Sequence, residues 1–203
     1  MKRGMGMGRF RTLLITLACV ALVLGMASCG SNNAPEQAAA SFIQDLRDGD
    51  RERVAAELAP GTTLMLLLPA DPAAQPGTTA LLSFACSNLS YTVTGGVREG
   101  ESATVEMDIT VPDMTVLLQE YFREALLRTL VDAGGDLGTS LQTLLAEKVG
   151  AFSALAPFEL RTSHVVLALV KVDNHWKISD VGNLEIAVIG GFEQMFGSVT
   201  PAA

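Results

Sequence analysis

Cysteine and histidine, the side chains that most often carry nucleophilic or metal chemistry, are scarce in this sequence. Three cysteines and two histidines occur in 203 residues. A structural zinc site needs about four such ligands and a catalytic one about three, so we expect no metal site. Cys86 follows the apolar Phe84 and Ala85 and has no suggestive spacing to either histidine. We therefore interpret Cys86 as a small buried apolar residue and not as a nucleophile.

Cys29 has the strongest chemical context of the three cysteines. It follows a basic start and an apolar run at residues 12–26. The run matches the roughly 7 to 15 residues of an export signal and falls short of the roughly 20 of a spanning helix. With two small residues before Cys29, the stretch resembles the bacterial lipobox, although Met26 stands where the family usually has leucine. The resemblance implies cleavage before Cys29 and attachment of lipid to its sulfur. Cys19 is a poorer lipid site, because cleavage there leaves an apolar run of about six residues.

These features divide the chain into three parts. We predict a signal peptide at residues 1–28, a lipidated tether at residues 29–33 and a folded domain at residues 34–196. The lipid would hold the domain at the extracytoplasmic face of the cell membrane. Two alternatives stay open, namely an ordinary secretory signal and a membrane anchor in which Cys29 is incidental. If Cys19 leaves with the signal and Cys29 carries lipid, Cys86 has no cysteine to pair with.

The charge of the chain argues against nucleic acid as a partner. The 14 basic and 22 acidic residues give a formal net charge of −8. Cleavage before Cys29 removes four basic residues, which leaves 10 against 22 and a mature charge of about −12. Such a surface repels phosphate backbones and anionic headgroups, so membrane attachment must come from lipid. The composition, 49% apolar and 5% aromatic, favours helices packed on a sheet.

Helical spacing predicts two helices at the start of the folded domain. Pro35 suits a first helical turn, and the first helix ends at Asp48-Gly49. Asp50 is a suitable N-cap for a second helix that runs through Leu58. The predicted buried residues are Ala39, Phe42, Ile43 and Leu46 in the first helix, and Val54 and Leu58 in the second. Residues 62–88 stay unassigned, because their leucine run and their prolines give conflicting signals.

From Leu89 the hydrophobic period changes to two, which predicts an antiparallel hairpin with one wet face. Its strands are residues 89–94 and 103–111, joined by a turn region at residues 95–101. A later strand at residues 159–172 is apolar on both sides, so we expect it to be central in the sheet, with both faces covered. Asp173-Asn174 then forms a tight turn into a return strand that buries Trp176 and Ile178.

Two helices are predicted between the hairpin and the central strand. Asp113 can cap the first, which ends at Gly134-Gly135. The second begins near Thr139 and ends at Gly150. The residues predicted to keep helical spacing are Val116, Leu117, Phe122, Leu126, Leu127 and Leu130 in the first helix, and Leu141, Leu144, Leu145 and Val149 in the second.

Together, the opening helix, the Asp48-Gly49-Asp50 break, the strand at residues 103–111 and the hairpin at residues 165–178 resemble the nuclear-transport-factor-two-like fold. More closely, they resemble bacterial lipoproteins of unknown activity that carry this domain. The resemblance covers roughly residues 34–195. It implies an α+β fold in which a curved antiparallel sheet wraps around helices as a cone, often with an apolar pocket at its mouth. The two helices between Asp113 and Gly150 depart from the shortest family members and can plug that mouth.

The resemblance also implies where chemistry would lie. Isomerases and dehydratases of this superfamily place Asp, His or Tyr side chains inside the cone for proton transfer. In this chain the candidates are His164 and Asp108 as an acid/base pair. Tyr91 and Trp176 are candidates for ligand contacts. The structural alternative is that His164 and Asp108 are solvated strand residues and that Trp176 belongs to the core.

Three functions follow from these patterns. The first is a noncatalytic envelope module that binds an apolar small molecule, a peptide or an envelope protein. The second is a small enzyme of the isomerase or dehydratase type. The third is a homodimer with a structural role, because sheets of this fold often pair face to face. A sealed aliphatic interior argues against the enzyme, whereas an open cavity that holds His164 with a carboxylate supports it. We predict no cofactor.

Overall fold

The folded part of the chain is a four-stranded antiparallel sheet with helices against one face, as given by a computed structural model that describes residues 34–64, 67, 71–131 and 136–191. The strands, in spatial and chain order, are β1 (Ser90–Glu99), β2 (Ser102–Pro112), β3 (Leu160–Val172) and β4 (His175–Asp180). The helices of the described residues are α1 (Pro35–Asp48), α2 (Arg51–Glu57), α3 (Pro76–Ser87), α4 (Thr115–Val131), α5 (Leu137–Ser153) and α6 (Leu184–Val188). This arrangement confirms the predicted α+β class with an antiparallel sheet.

Several predicted features lie outside the described residues. They are the signal peptide, the tether with Cys29, the helix end at Gly134-Gly135 and the last part of the predicted domain, residues 192–196. Within the described part of the chain, no helix is both long enough and apolar enough to cross a membrane.

Helices α1 and α2 follow the predicted pattern closely. The predicted stripe of α1 is buried, and Gly49 takes a φ of 71° where the chain leaves the helix. The Asp50 carboxylate accepts a hydrogen bond from the Arg53 backbone N–H at 3.0 Å, so Asp50 is the N-cap of α2 as predicted. Val54 is buried. The predicted end is wrong, because Leu58 is half-buried, lies beyond the helix in extended conformation and bridges to Ile178 along the outer edge of β4.

Helix α3 occupies most of the stretch that the sequence left unassigned. Pro76 begins it, and proline is tolerated there because an N–H group in the first helical turn has no partner within the helix. Its buried side is formed by Gly77, Leu81, Leu82, Ala85 and Cys86. Gly77 lies so close to the backbone carbonyl of Gln142 that an added Cβ would overlap it, so α3 packs tightly on α5 at this point.

The first hairpin has a longer strand and a shorter turn than predicted. β1 runs to Glu99, and the turn is Gly100-Glu101 between the paired Glu99 and Ser102. The predicted turn region is wrong because its glycines serve the strand. A Cβ at Gly96 would lie 3.1 Å from Oε1 of Glu36, so glycine lets the start of α1 approach β1. The predicted alternation of β2 is confirmed, with its odd-numbered residues from Ala103 to Val111 buried.

Strand β3 lies between β2 and β4, which confirms that it is central. One face is covered, since Val165, Leu167 and Leu169 are at most 1% exposed. The other face is not covered as predicted, because Val166 is 42% exposed and its neighbours on that face are half-buried or exposed. Asp173 and Asn174 form the predicted turn with φ of 49° and 65°, and Trp176 and Ile178 of β4 are buried. The sheet therefore has one helix-covered face and one open face.

Helices α4 and α5 form an insertion between two strands that are neighbours in the sheet. α4 begins at Thr115, whose N–H donates to Asp113 at 3.0 Å. Helix α5 starts two residues before the predicted start near Thr139. Its N-cap is Asp136, whose carboxylate accepts a hydrogen bond from the Thr139 N–H, and the helix continues through Gly150 to Ser153. The predicted helix end at Gly150 is wrong because the helix hydrogen bonding continues past it.

The apolar residues of α4 that keep helical spacing do not all face the protein. Its buried side chains are Leu117 and Leu118, whereas Val116, Phe122, Leu126, Leu127 and Leu130 are exposed. In α5, Leu144, Leu145 and Val149 are buried, and Leu141 is half-buried. Helical spacing identified the apolar residues of α4, but it did not identify which of them face the protein.

Aliphatic side chains fill the space between the covered face of the sheet and the helices. The largest side chains with less than 2% exposure include Phe42, Ile43, Met107, Ile109, Met114, Leu167, Leu169, Ile178 and Leu184. They come from α1, α6, the sheet and the start of the insertion, and they form one continuous core. The described residues thus give a filled interior at the place where the resemblance implied a pocket.

Candidate functional site

The two candidate acid/base residues lie next to each other. Asp108 of β2 is directly opposite His164 of β3 in the strand register, and Nδ1 of His164 is 3.1 Å from Oδ1 of Asp108. Opposed positions in an antiparallel pair bring side chains on one face into contact. Both side chains project from the open face of the sheet, where they are 43% and 53% exposed respectively.

The surroundings of this pair are those of a solvated strand surface. The neighbouring opposed positions on that face are Thr110 with Thr162, whose hydroxyl oxygens are 2.8 Å apart, and Glu106 with Val166. General acid and base groups work best in a desolvated pocket that also holds substrate. The geometry gives a histidine oriented by a carboxylate, but it places the pair outside the aliphatic interior.

Tyr91 and Trp176 do not join this pair. The Tyr91 hydroxyl donates to the Ala40 carbonyl at 3.2 Å, which ties β1 to α1. Trp176 is 6% exposed, and the Arg98 guanidinium lies 5.2 Å from the centre of its ring. Both aromatic side chains therefore lie on the helix side of the sheet, opposite to His164, and make structural contacts there.

Cys86 is buried and unpaired in the described part of the chain. Burial raises the pKa of its thiol to about 11, so the sulfur is protonated at neutral pH and is a poor nucleophile. Its placement confirms the interpretation as a small apolar core residue. Among the described residues, no group of three or more His, Cys, Asp or Glu side chains is arranged to hold a metal ion.

Cys86 also forms part of a cleft between α1, α2 and α3 that sequence reasoning missed. The cleft has a volume of about 130 Å³. Its apolar residues include Leu46, Val54, Leu82 and Cys86, and its polar residues include Asp45, Arg51, Thr79 and Ser83. An apolar cavity of about 150 Å³ holds a molecule the size of benzene, whereas drug-sized ligands need roughly 300 Å³ or more. The cleft therefore fits a single ring or a single aliphatic side chain.

The polar side of the cleft carries a buried carboxylate. Asp45 is 6% exposed, and its Oδ1 forms an ion pair with Nη1 of Arg53 at 3.3 Å. Arg53 also binds Asp50, and the hydrogen bonds from its backbone and side chain lower the pKa of that carboxyl. Burial is the main cause that raises the pKa of nearby Glu57. The charged residues that line the cleft itself are Asp45 and Arg51, and the ion pair with Arg53 neutralises the Asp45 carboxylate from outside the cleft.

A signal for the cleft was present in the sequence. Thr79 and Ser83 are four residues apart, as are Leu82 and Cys86, which places each pair on one side of a helix. Because residues 62–88 were left unassigned, this spacing was not recognised as one face of a helix. Recognising Pro76 as a helix start would have revealed one wall of the cleft.

A third feature is the apolar surface of α4, which we call the α4 outer face. It consists of Val116, Phe122, Leu126, Leu127, Leu130 and Val131, which range from 40% exposed at Phe122 to 85% at Val131. The opposite side of α4 is attached to the protein by buried Leu117 and Leu118 and by Lys148 of α5, whose Nζ lies 2.9 Å from Glu124. Exposed apolar patches of this kind commonly mark interaction sites.

Comparison with family models, with curated proteins and with solved structures finds no match to this chain. A functional assignment therefore depends on the sequence and on the geometry of the described residues. Of the three features, the cleft has an apolar floor and polar rim, the acid/base pair is solvent-exposed, and the α4 outer face is a convex surface.

Proposed function

We propose that this protein is a noncatalytic binding module, held by lipid on Cys29 at the extracytoplasmic face of the cell membrane, that receives a small apolar group in the cleft between α1, α2 and α3. The cleft is the observation that carries the binding part of the proposal. Its apolar floor supplies binding energy by removing ligand surface from water, and its polar rim orients the ligand.

The proposal includes membership of the nuclear-transport-factor-two-like fold. The opening pair α1 and α2 ahead of an antiparallel sheet, and a closing hairpin around Asp173-Asn174, support that assignment, while α3 is a third helix before the sheet. In such a domain the usual pocket lies between sheet and helices, where this chain has Met107, Met114 and Leu184 packed without exposed surface. The filled interior favours a ligand site displaced to the cleft, and it disfavours an enzyme whose acid and base lie inside the cone.

The anchor is tested by labelling and by a matched pair of cysteine variants. We expect labelled palmitate to enter the full chain produced in a bacterial host, and we expect the Cys29→Ala variant to remain unprocessed and unlabelled. Cys19→Ala is the control, because it removes a cysteine from the same apolar segment but keeps Cys29. Equal labelling of the Cys29→Ala variant would contradict the lipid anchor.

The cleft is tested with benzene as a probe and NMR as the readout. Among the described residues, the buried apolar core runs from Ala39 to Ile189, so a chain that starts at Pro35 contains this core. We expect benzene to shift the amide signals of Leu82, Ser83 and Cys86 in a saturable way. The absence of saturable shifts at these residues would refute the cleft as a binding site.

Two exposed serines of α3 give a matched control. Ser83 lines the cleft, whereas Ser87 lies one turn further along the same helix and does not. We expect Ser83→Phe to weaken benzene binding about tenfold by covering the opening, and Ser87→Phe to leave it unchanged. Native mass spectrometry of protein purified from its own host then identifies the natural ligand as a copurifying mass.

A second candidate function rests on the 3.1 Å contact between His164 and Asp108. If this pair transfers protons, the protein should catalyse incorporation of deuterium from D₂O next to the carbonyl group of simple ketones. His164→Asn should then abolish the incorporation and leave benzene binding unchanged. Equal rates in wild type, His164→Asn and buffer would remove this candidate.

A further inference from the structure

The α4 outer face is large enough to matter energetically. Full burial of one such side chain removes roughly 60 to 120 Å² of apolar surface from water. With six side chains that are 40% to 85% exposed, the face presents roughly 250 to 450 Å² of apolar area. A standard interface takes about 800 Å² from each partner, of which somewhat more than half is apolar. The face therefore supplies roughly half or more of the apolar surface that a stable protein interface needs.

The charges on α4 indicate what kind of partner fits this face. The whole chain carries a formal charge of −8, so two copies repel each other over most of their surface. α4 is an exception, because its charged residues are Glu120, Arg123, Glu124 and Arg128, two acidic and two basic. A second copy can therefore approach along α4 without the repulsion that it meets elsewhere.

The position of two of these charges also favours self-association. Glu120 and Arg123 are exposed and three residues apart, on the side of α4 that carries Val116 and Leu127. Glu120 also lies 3.7 Å from Nζ of Lys148 but remains half exposed, so it can meet a second cation. If two α4 helices pack antiparallel about a twofold axis that crosses this side of the helix midway between positions 121 and 122, Arg123 of each copy faces Glu120 of the other. The same register brings Val116 of each copy against Leu127 of the other. Two identical ion pairs would then flank an apolar contact, as an isologous interface requires.

Another exposed side chain continues the surface. Leu160 is 66% exposed and is paired with Pro112 of β2, directly before the start of α4. In the antiparallel register, the last turn of α4 in one copy reaches this region of the other. Leu130 and Val131 then gain an apolar neighbour.

We propose that the α4 outer face is a self-association surface, on which a second copy of this chain packs α4 against α4 in antiparallel orientation. This interface is separate from the cleft and from the open face of the sheet. Its existence does not depend on a ligand, so the benzene experiment and the experiments below can fail independently.

Cross-linking in membranes tests the location of the interface with the full lipidated chain. We expect the double variant Val116→Cys/Leu127→Cys to give a covalent dimer with a short bismaleimide, because the register places Val116 of one copy against Leu127 of the other, whereas the two residues lie about three helical turns apart within one copy. Val97→Cys is the control, because Val97 is also exposed, at 58%, but belongs to β1 on the open face of the sheet. A dimer through Val97 alone would mean that sheets pair face to face and would overturn the proposal. An adduct of the Val116→Cys/Leu127→Cys variant with a chain of another mass, or no adduct with either variant, would also overturn it.

Charge exchange tests the register on detergent-solubilised full chain by sedimentation equilibrium. We expect Arg123→Glu to raise the dimer dissociation constant about tenfold or more, because it creates two like-charge contacts. The double variant Glu120→Arg/Arg123→Glu should return the constant to within about threefold of wild type, since it restores both pairs with their signs reversed. Arg47→Glu makes the same change of charge on exposed α1 and should leave the constant unchanged. An equal effect of Arg47→Glu, or no recovery in the double variant, would refute the antiparallel α4 contact.

Discussion

Two leucines of α4 should respond very differently to the same substitution. Leu117 is 3% exposed and Leu127 is 57% exposed. Leucine to alanine at a buried site costs about 2 to 5 kcal/mol, because both burial and packing are lost. At Leu127 less than half of the side chain is buried, so the loss should be about 1 kcal/mol or less, and the slightly better helix propensity of alanine offsets part of it.

The measurement is urea unfolding of the chain from Pro35 onward, at protein concentrations low enough for it to be monomeric. We expect Leu117→Ala to lower the free energy of unfolding by about 3 kcal/mol, with an unchanged dependence on urea, and Leu127→Ala to change it by less than about 1 kcal/mol. The matched substitution on one helix removes any general effect of alanine. A loss at Leu127 equal to that at Leu117 would show that the outer face of α4 is buried in the monomer, and would refute both the orientation of α4 and the self-association surface.

Three further predictions concern single residues. Burial raises the pKa of the Cys86 thiol to about 11, so at pH 8 it should react with iodoacetamide about a hundredfold more slowly than in the urea-unfolded chain. The stability that its burial contributes should be lost progressively above about pH 9, where the thiol of the unfolded chain ionises. Equal reaction rates would contradict its burial. Gly150→Ala should stabilise the protein by about 0.5 to 1 kcal/mol in thermal unfolding, because an added Cβ meets no atom within 4 Å. Gly77→Ala should destabilise the protein, because its Cβ would force α3 away from α5. The opposite order of stabilities would contradict the close contact between these helices. Burial alone would raise the pKa of Asp113, but hydrogen bonds from Thr115 and from an arginine of β3 lower it. The stability that this carboxylate contributes should thus be present above about pH 4 and lost as the pH falls further. In urea unfolding, Asp113→Asn should therefore lose less free energy of unfolding between pH 5 and pH 3 than wild type. An equal loss in the two proteins would refute the role of these bonds.

Periodicity predicted the elements whose two sides differ clearly. α1 has one apolar stripe and β2 alternates strictly, so one arrangement buries the apolar residues in each case. α4 has apolar residues on both sides, and sequence alone cannot tell whether Leu117 and Leu118 or Val116 and Leu127 face the protein. The choice depends on how α5 packs, which is a tertiary effect.

Glycine and proline account for two other errors of prediction. Gly95 and Gly96 are typical of a turn, but in β1 they allow a bulge and a close approach of α1. Pro76 is typical of a loop, but it begins α3. Glycine relaxes steric limits on the backbone, whereas proline fixes φ and lacks an N–H donor, so each residue suits more than one kind of element. Which element forms depends on neighbours far away in the chain.

The sequence predicted which residues are candidates for chemistry, but it did not predict where in the fold they lie. Asp108 and His164 were both predicted as candidates, but their contact depends on the register between β2 and β3. The 47 intervening residues at positions 113–159 hide that register from local analysis. The cleft combines side chains from three helices, and one of these helices was not predicted. Its walls become visible when α3 is placed against α1 and α2.

The insertion of α4 and α5 between β2 and β3 also has a consequence for how the chain folds. The hairpins β1–β2 and β3–β4 have turns of two residues, so each can form within microseconds of collapse. Joining them at the middle of the sheet closes a loop of 47 residues at positions 113–159, at an entropic cost of about 3 kcal/mol. We expect this central closure to limit the folding rate. Until it occurs, both inner strands expose unpaired edges, and newly made chains depend on rapid docking of α4 and α5 to avoid aggregation.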